Sequence, residues 1–260
     1  MSSRTALVGL LVISTAIAAS SALAREETVK RPYSYVAFGD SWSSGAHCGG
    51  CRTFVSLYAD GLAPKTHRKI VFRNLTQTKV PGSNDGQTSG SLLSDLRSDS
   101  STRRATKNAD IIVISTGAND LEPAFDAYGA GTCGGSDKAD CFRQIAAKWR
   151  TNFDAILAQI RKLRAGRPTA IRVISNSNEF LADPNFIPFG KDFGSTTGVL
   201  ITELMRTAVC GAAKAHAAVC VPLGPVLNGP DLLRPQDVNT PKAMKAVAQA
   251  LLATGLPELR

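Results

Sequence analysis

Ala109-Asp110-Ile111-Ile112-Val113-Ile114-Ser115, followed at once by Thr116-Gly117-Ala118-Asn119-Asp120, decides the fold. The run is apolar without alternation, rich in β-branched residues and closed by a glycine turn. It therefore reads as a strand covered on both faces. Such a strand belongs in a parallel sheet with helices on each side. Residues 33–38, 70–75, 170–175 and 217–223 are further runs of this kind. Between them the spacing predicts helices. The clearest sets Ile145, Trp149, Phe153, Ile156, Leu157, Ile160 and Leu163 on one face, with Gly166 and Pro168 as its stop. Residues 54–62, 200–218 and 241–252 carry weaker helical patterns. Strands alternating with helices give an α/β class with a mainly parallel, five-stranded sheet.

The first residues read as an export leader and not as part of this fold. Arg4 supplies a positive start, residues 6–19 are apolar, and Ala22-Leu23-Ala24 is an A-x-A cleavage site. Residues 1–24 are thus expected to be a signal peptide, and 25–260 a single domain. The apolar run is too short for a stable membrane anchor. In an exported chain the six cysteines read as disulfides, and local pairing gives Cys48–Cys51, Cys133–Cys141 and Cys210–Cys220. Cys48-Gly49-Gly50-Cys51 has no second C-x-x-C to complete a zinc site, and no histidine pair lies at ligand spacing. Asn74-Leu75-Thr76 is a glycosylation sequon, relevant where the host glycosylates exported proteins. The net charge of +9 gathers at residues 97–107 and 161–167. Either these are solvated element ends or they attract anionic polymers and envelopes. No aromatic residues interleave them, so nucleic acid is not an expected partner.

Ligands of parallel α/β sheets bind beyond the carboxyl ends of the strands. Gly39-Asp40-Ser41 and Gly117-Ala118-Asn119-Asp120 both fall there. Acyl transfer needs a nucleophile, a base and donors for an oxyanion, and these turns offer a hydroxyl and a side-chain amide. Alone, Gly-Asp-Ser is an ordinary turn and Asn119 a loop cap. The first turn is not the G-x-S-x-G elbow, because position 43 is serine. No G-x-G-x-x-G follows a strand and no Walker motif occurs, so nucleotide chemistry is unsupported and no cofactor is expected.

The order of blocks adds to this. Phe38-Gly39-Asp40-Ser41-Trp42-Ser43-Ser44-Gly45, then Asn84-Asp85-Gly86-Gln87-Thr88-Ser89 with Leu92, Leu93 and Leu96, then Gly117-Ala118-Asn119-Asp120, resemble the GDSL esterase/lipase group, also called SGNH hydrolases. The resemblance runs from about Tyr33 to the C-terminus. It implies a flavodoxin-like, three-layer α/β/α sandwich. It makes Ser41 the nucleophile and, through its backbone amide, an oxyanion donor. Gly86 N–H and the Asn119 amide are the other implied donors, with Gly82 or Gly90 as alternatives to Gly86.

The family's last block is D-x-x-H-P. Here it is Asp237-Val238-Asn239-Thr240-Pro241, so the acid is Asp237 and the histidine position holds Thr240. Sliding the alignment puts Asn239 or Val238 there and restores no base. Thr240 and Pro241 fit the start of the last helix without any catalytic role. An exposed Asp237 is a poor base for a serine hydroxyl. His47, six residues past Ser41, is a candidate replacement; His67 reads as solvated, and His216 as structural or exposed. Loss of the base alone costs a serine protease about 10⁶ in turnover, leaving about 10³–10⁴ over water. The leading expectation is a secreted or periplasmic serine esterase. Its partner would be an ester-bearing small molecule, a lipid or an acylated carbohydrate. The alternatives are a non-catalytic carbohydrate- or acyl-binding descendant, and an acyltransferase.

Overall fold

In a computed structural model that describes residues 30–76 and 86–259, the apolar runs pair side by side. β1 (Tyr33–Gly39), β2 (Ile70–Thr76), β3 (Ile111–Ser115), β4 (Ala170–Ser175) and β5 (Val219–Pro222) form one sheet in the order β2-β1-β3-β4-β5. Every pairing is parallel, with Tyr35 opposite Ile111 and Ile111 opposite Ala170 fixing the central register. All five residues of β3 are buried, as its unbroken apolar sequence requires.

Alternation along the strands divides the core in two. Val36, Phe38, Ile112, Ile114, Ile171 and Val173 point to one side. There they meet α3 (Ser89–Ser98), α4 (Ser100–Asn108), α6 (Asp140–Arg164) and α7 (Thr197–Ala215). Tyr35, Ala37, Ile111, Val113 and Ile174 point to the other side. That side is covered by α2 (Phe54–Thr66) and α8 (Pro241–Ala253). The result is the expected three-layer α/β/α sandwich. Trp149, Phe153, Ile156, Leu157 and Ile160 of α6 are fully buried, and truncation of one such aromatic costs about 3–5 kcal/mol.

Several boundaries differ from the sequence reading. α6 ends at Arg164, two residues before the expected stop at Gly166, because Ala165 itself takes the left-handed conformation. α2 continues past Leu62 and through Pro64 to Thr66. α7 begins three residues early and stops at Ala215. Ala217 has φ 50°, so β5 starts only at Val219. α3, α4 and α5 (Glu122–Gly129) are short helices that the spacing did not predict. Three disulfides join the expected partners: Cys48–Cys51, Cys133–Cys141 and Cys210–Cys220. The last ties α7 to β5.

Part of each basic cluster is built into the framework, while Arg97, Arg104, Lys107 and Lys162 are exposed. Arg103 donates to the carbonyls of Leu96 and Arg97, and Arg161 to those of His216 and Ala217. Arg164 is buried and donates to Thr169 Oγ1 and the Lys107 carbonyl. Among the described residues no helix is long and apolar enough to cross a membrane. Asn74 of the sequon is exposed on the edge strand β2, and its Oδ1 accepts from Thr76 Oγ1. The expected leader over residues 1–24, Gly82, and Asn84-Asp85 of the second sequence block lie outside the described residues.

Candidate active site

β1 delivers Ser41 to the carboxyl edge of the sheet. Asp40 is the N-cap of a single helical turn, α1 (Ser41–Ser44), and its Oδ1 accepts from Trp42 N at 3.2 Å. Ser43 is buried beneath it, with its Oγ 2.9 Å from Ser115 Oγ and 3.2 Å from the Ser115 carbonyl at the end of β3. Gly39 is needed here for close approach. A Cβ at Gly39 would lie 2.6 Å from the Ser115 carbonyl oxygen, a backbone atom that cannot swing aside. Burial pushes the Asp40 carboxyl up to about 7, against the opposing pull of hydrogen bonds from Ser43 and Trp42.

β3 delivers the second turn. Gly117 has φ 124°, a conformation that side chains disfavour, and its carbonyl accepts from Trp149 Nε1 at 3.1 Å. Ala118 to Leu121 then form a 3₁₀ turn carrying Asn119 and Asp120. Asp120 is buried and accepts from Ser89 N at 2.7 Å and Ser89 Oγ at 2.8 Å, which pins the start of α3. Burial raises the Asp120 carboxyl above its ordinary range, and the Ser89 hydrogen bonds act against that. Asn119 Nδ2 donates to the Gln87 carbonyl at 3.3 Å, and Thr116 Oγ1 donates to the same oxygen at 2.8 Å. An amide nitrogen has two hydrogens, so Asn119 keeps one for another acceptor. Gly86 is buried immediately before Gln87.

A cleft of about 530 Å³ opens over these turns. Ser41 and Asn119 line it, as do His47 and Asp237. Gly86 is not among the described residues that line it. The far wall is the 236–239 segment, tied to the Ser41 turn by Trp42 Nε1, which donates to the Val238 carbonyl at 3.0 Å. Asp237 Oδ1 accepts from Asn239 N at 2.8 Å. Thr240 is the N-cap of α8: its Oγ1 accepts from Ala243 N at 3.2 Å and donates to the Asp237 carbonyl at 3.1 Å. His47 is exposed beside the Cys48–Cys51 turn. The other two histidines lie away from the cleft lining. His67 caps α2, and His216 faces Asp154 at 3.5 Å.

The third wall comes from the segment after β4 and was missed in the sequence. Glu179, Asp183 and Phe186 line the cleft there. Glu179 is half-buried, and its carboxyl is raised to about 7 by burial first and then by the neighbouring carboxylates of Asp40 and Asp183. Its position four residues past a predicted strand end, on the ligand-binding edge of the sheet, was the available signal. In the described residues no group of histidine, cysteine and carboxylate side chains is placed to hold a metal ion.

A hydroxyl at a strand end, a side-chain amide from the adjacent strand and a cleft over both can receive an acyl group. A family model of GDSL-like lipase/acylhydrolase domains matches residues 37–242, which spans both turns and the 236–240 wall. The chain belongs to the GDSL-like Lipase/Acylhydrolase family. Solved structures share its fold at low sequence identity. The lipase Lip_vut3 from a goat rumen metagenome superposes with a TM-score of 0.62 at 18% identity, covering 88% of this chain and 100% of that one. Phospholipase A1 of Streptomyces albidoflavus NA297 gives 0.57 at 12% identity, with 86% and 99% covered. The acetyl xylan esterase Axe2 of Geobacillus stearothermophilus gives 0.53 at 13%, with 86% and 95% covered. No curated protein matches the sequence at a significant level.

Proposed function

We propose that this GDSL-family chain hydrolyses carboxylic esters through an acyl-enzyme on Ser41. The observation that carries the reading is the placement of Ser41 and Asn119 on one cleft at the carboxyl edges of β1 and β3. Ser41 Oγ attacks the ester carbon, and the oxyanion is received by Ser41 N–H, the free hydrogen of Asn119 Nδ2 and Gly86 N–H. One such donor is worth about 10²–10³ in turnover. The alcohol leaves, and water then releases the acid from Ser41. Asp237 stands on the wall where the family's acid would stand, without a histidine at position 240 to orient.

The fold relatives include a lipase, a phospholipase A1 and an acetyl xylan esterase. Lipids and acylated carbohydrates are therefore the substrate classes to test beside simple esters. The leader-like N-terminus and three disulfides support secretion to an oxidising compartment. A second reading, a non-catalytic acyl- or carbohydrate-binding protein, is favoured by Thr240, which serves α8 as a cap where the family has its base.

Hydrolysis of p-nitrophenyl acetate, a longer acyl ester and an acetylated sugar separates the two. The esterase reading expects turnover that falls at least about 100-fold in Ser41→Ala. Equal rates of the two proteins on all three substrates would leave the binding reading.

A further inference from the structure

We infer that Glu179 is the base that serves Ser41 in place of the absent histidine. The inference rests on the acyl-serine reading and names the group which that reading lacks.

Four carboxylates line the cleft: Asp40, Glu179, Asp183 and Asp237. Three of them are committed to their own turns. Asp40 accepts from Trp42 N, Asp183 from Asn185 N at 2.9 Å, and Asp237 from Asn239 N. Among the described residues, the Glu179 carboxylate has no hydrogen bond and no ion pair. A half-buried carboxylate without a partner destabilises the fold, and such groups concentrate at functional sites.

The backbone around Glu179 is firmly held. Asn178 is fully buried; its Nδ2 donates to the carbonyls of Gly194 and Leu232, and its N–H donates to Asn228 Oδ1. Asn228 Nδ2 donates back to the Asn178 carbonyl at 3.0 Å. On the other side Phe180 is buried against Phe125, Phe186 and Phe193. A rigid frame of this kind positions one side chain at a reacting centre. Glu179 also shares a small recess with Asp40 and Trp42, the residues on either side of Ser41, and with Ala118 beside Asn119.

A carboxyl raised to about 7 is half ionised near neutral pH, the condition under which a general base works best. The titratable groups that share its cleft are Asp40, Asp183, Asp237 and His47; among the described residues no lysine or arginine lines it. His47, which also lines the cleft, is exposed, where water competes for it.

The proton path balances. As Ser41 Oγ bonds to the acyl carbon, its proton passes to the Glu179 carboxylate. The tetrahedral intermediate collapses, the C–O bond to the alcohol breaks, and Glu179 returns that proton to the leaving alkoxide. In the second half, water gives a proton to Glu179 as it attacks, and Ser41 Oγ takes it back when the acid departs.

The test measures kcat and KM against pH for wild type, Glu179→Gln, Glu179→Asp, His47→Ala and Ser41→Ala. It uses p-nitrophenyl acetate and an ethyl ester, with thermal melts to confirm folding. We expect kcat to rise with pH through about 7 in the wild type and in His47→Ala. We expect Glu179→Gln to lose about 10²–10⁴ in kcat with little change in KM, and to lose that pH dependence. The loss should be larger on the ethyl ester, whose alkoxide needs the returned proton, and Glu179→Asp should restore part of the rate. A folded Glu179→Gln that keeps wild-type rates and pH profile, or a pH rise lost in His47→Ala, overturns the inference and leaves Ser41 catalysis standing. Wild-type turnover no greater than that of Ser41→Ala overturns both.

Discussion

The floor of the cleft and its far wall are built differently. In the floor, buried hydrogen bonds join residues far apart in the chain: Ser43 to Ser115, Thr116 and Asn119 to Gln87, Asp120 to Ser89, and Trp149 to Gly117. In the wall, the side chains of Asp237 and Thr240 bond to backbone groups no more than three residues away. The Trp42–Val238 bond is the long-range tie between the two. Asn119 apart, whose Gln87 acceptor also receives Thr116 Oγ1, these floor side chains cannot change without leaving a buried partner unsatisfied, whereas the wall asks position 240 only for an N-cap. Threonine meets that demand better than histidine does. The wall can therefore lose a catalytic group while the fold and the floor remain intact, and a base must then be found on another wall.

Variants can break this contrast. Asn119→Ala removes the oxyanion donor proposed above, whose bond to Gln87 is long at 3.3 Å, so kcat should fall about 10²–10³, equivalent to about 2.7–4 kcal/mol. Stability should barely move, and steady-state kinetics beside a melt would show the split.

Asp40→Asn sharpens the account of the floor through pH. The folded carboxyl titrates near 7, above the unfolded value near 3.8. Below the unfolded value both states are protonated and the burial costs nothing. Between the two values only the unfolded state ionises, so stability is lost as pH rises through about 7. Asparagine keeps the acceptor without the charge. Asp40→Asn should thus gain on the order of 2–4 kcal/mol over wild type at pH 8, and nothing below about pH 4, in urea melts at both pH values. Removing the Asp40 charge also takes away one of the carboxylates that raise Glu179, which acts in the same direction as the gain.

Asp120→Ala leaves the buried Ser89 amide without an acceptor, and should cost about 2–3 kcal/mol by the same melts. Thr240→Ala, its counterpart in the wall, removes a cap from α8 and should cost only about 1 kcal/mol with kcat unchanged. Equal costs for these two would erase the contrast between floor and wall.

How much of this was legible in the sequence follows from what each element depends on. The strands could be read because a strand buried on both faces must be continuously apolar, as β3 is. The Ser41 and Asn119 turns could be read as turns because short motifs fix them at strand ends. α4, Ser-Ser-Thr-Arg-Arg-Ala-Thr-Lys-Asn, could not be read, since it buries only Thr102, Ala105 and Thr106 and has no apolar stripe. The partner that lets Arg172 sit buried in β4 could not be read, since Glu258, which pairs with it at 2.7 Å, lies 86 residues away. Glu179 stayed hidden for the same reason. Its place in the cleft is set by Asn178, Asn228 and Leu232, which meet only once the chain has folded.

The most direct measurement is to treat the protein with a fluorophosphonate and map the modified peptide by mass spectrometry, with and without prior unfolding. The account predicts one phosphonyl group, on Ser41, formed only by the folded protein and slowed by Asn119→Ala. No modification of the folded protein, or modification at another residue, would contradict it.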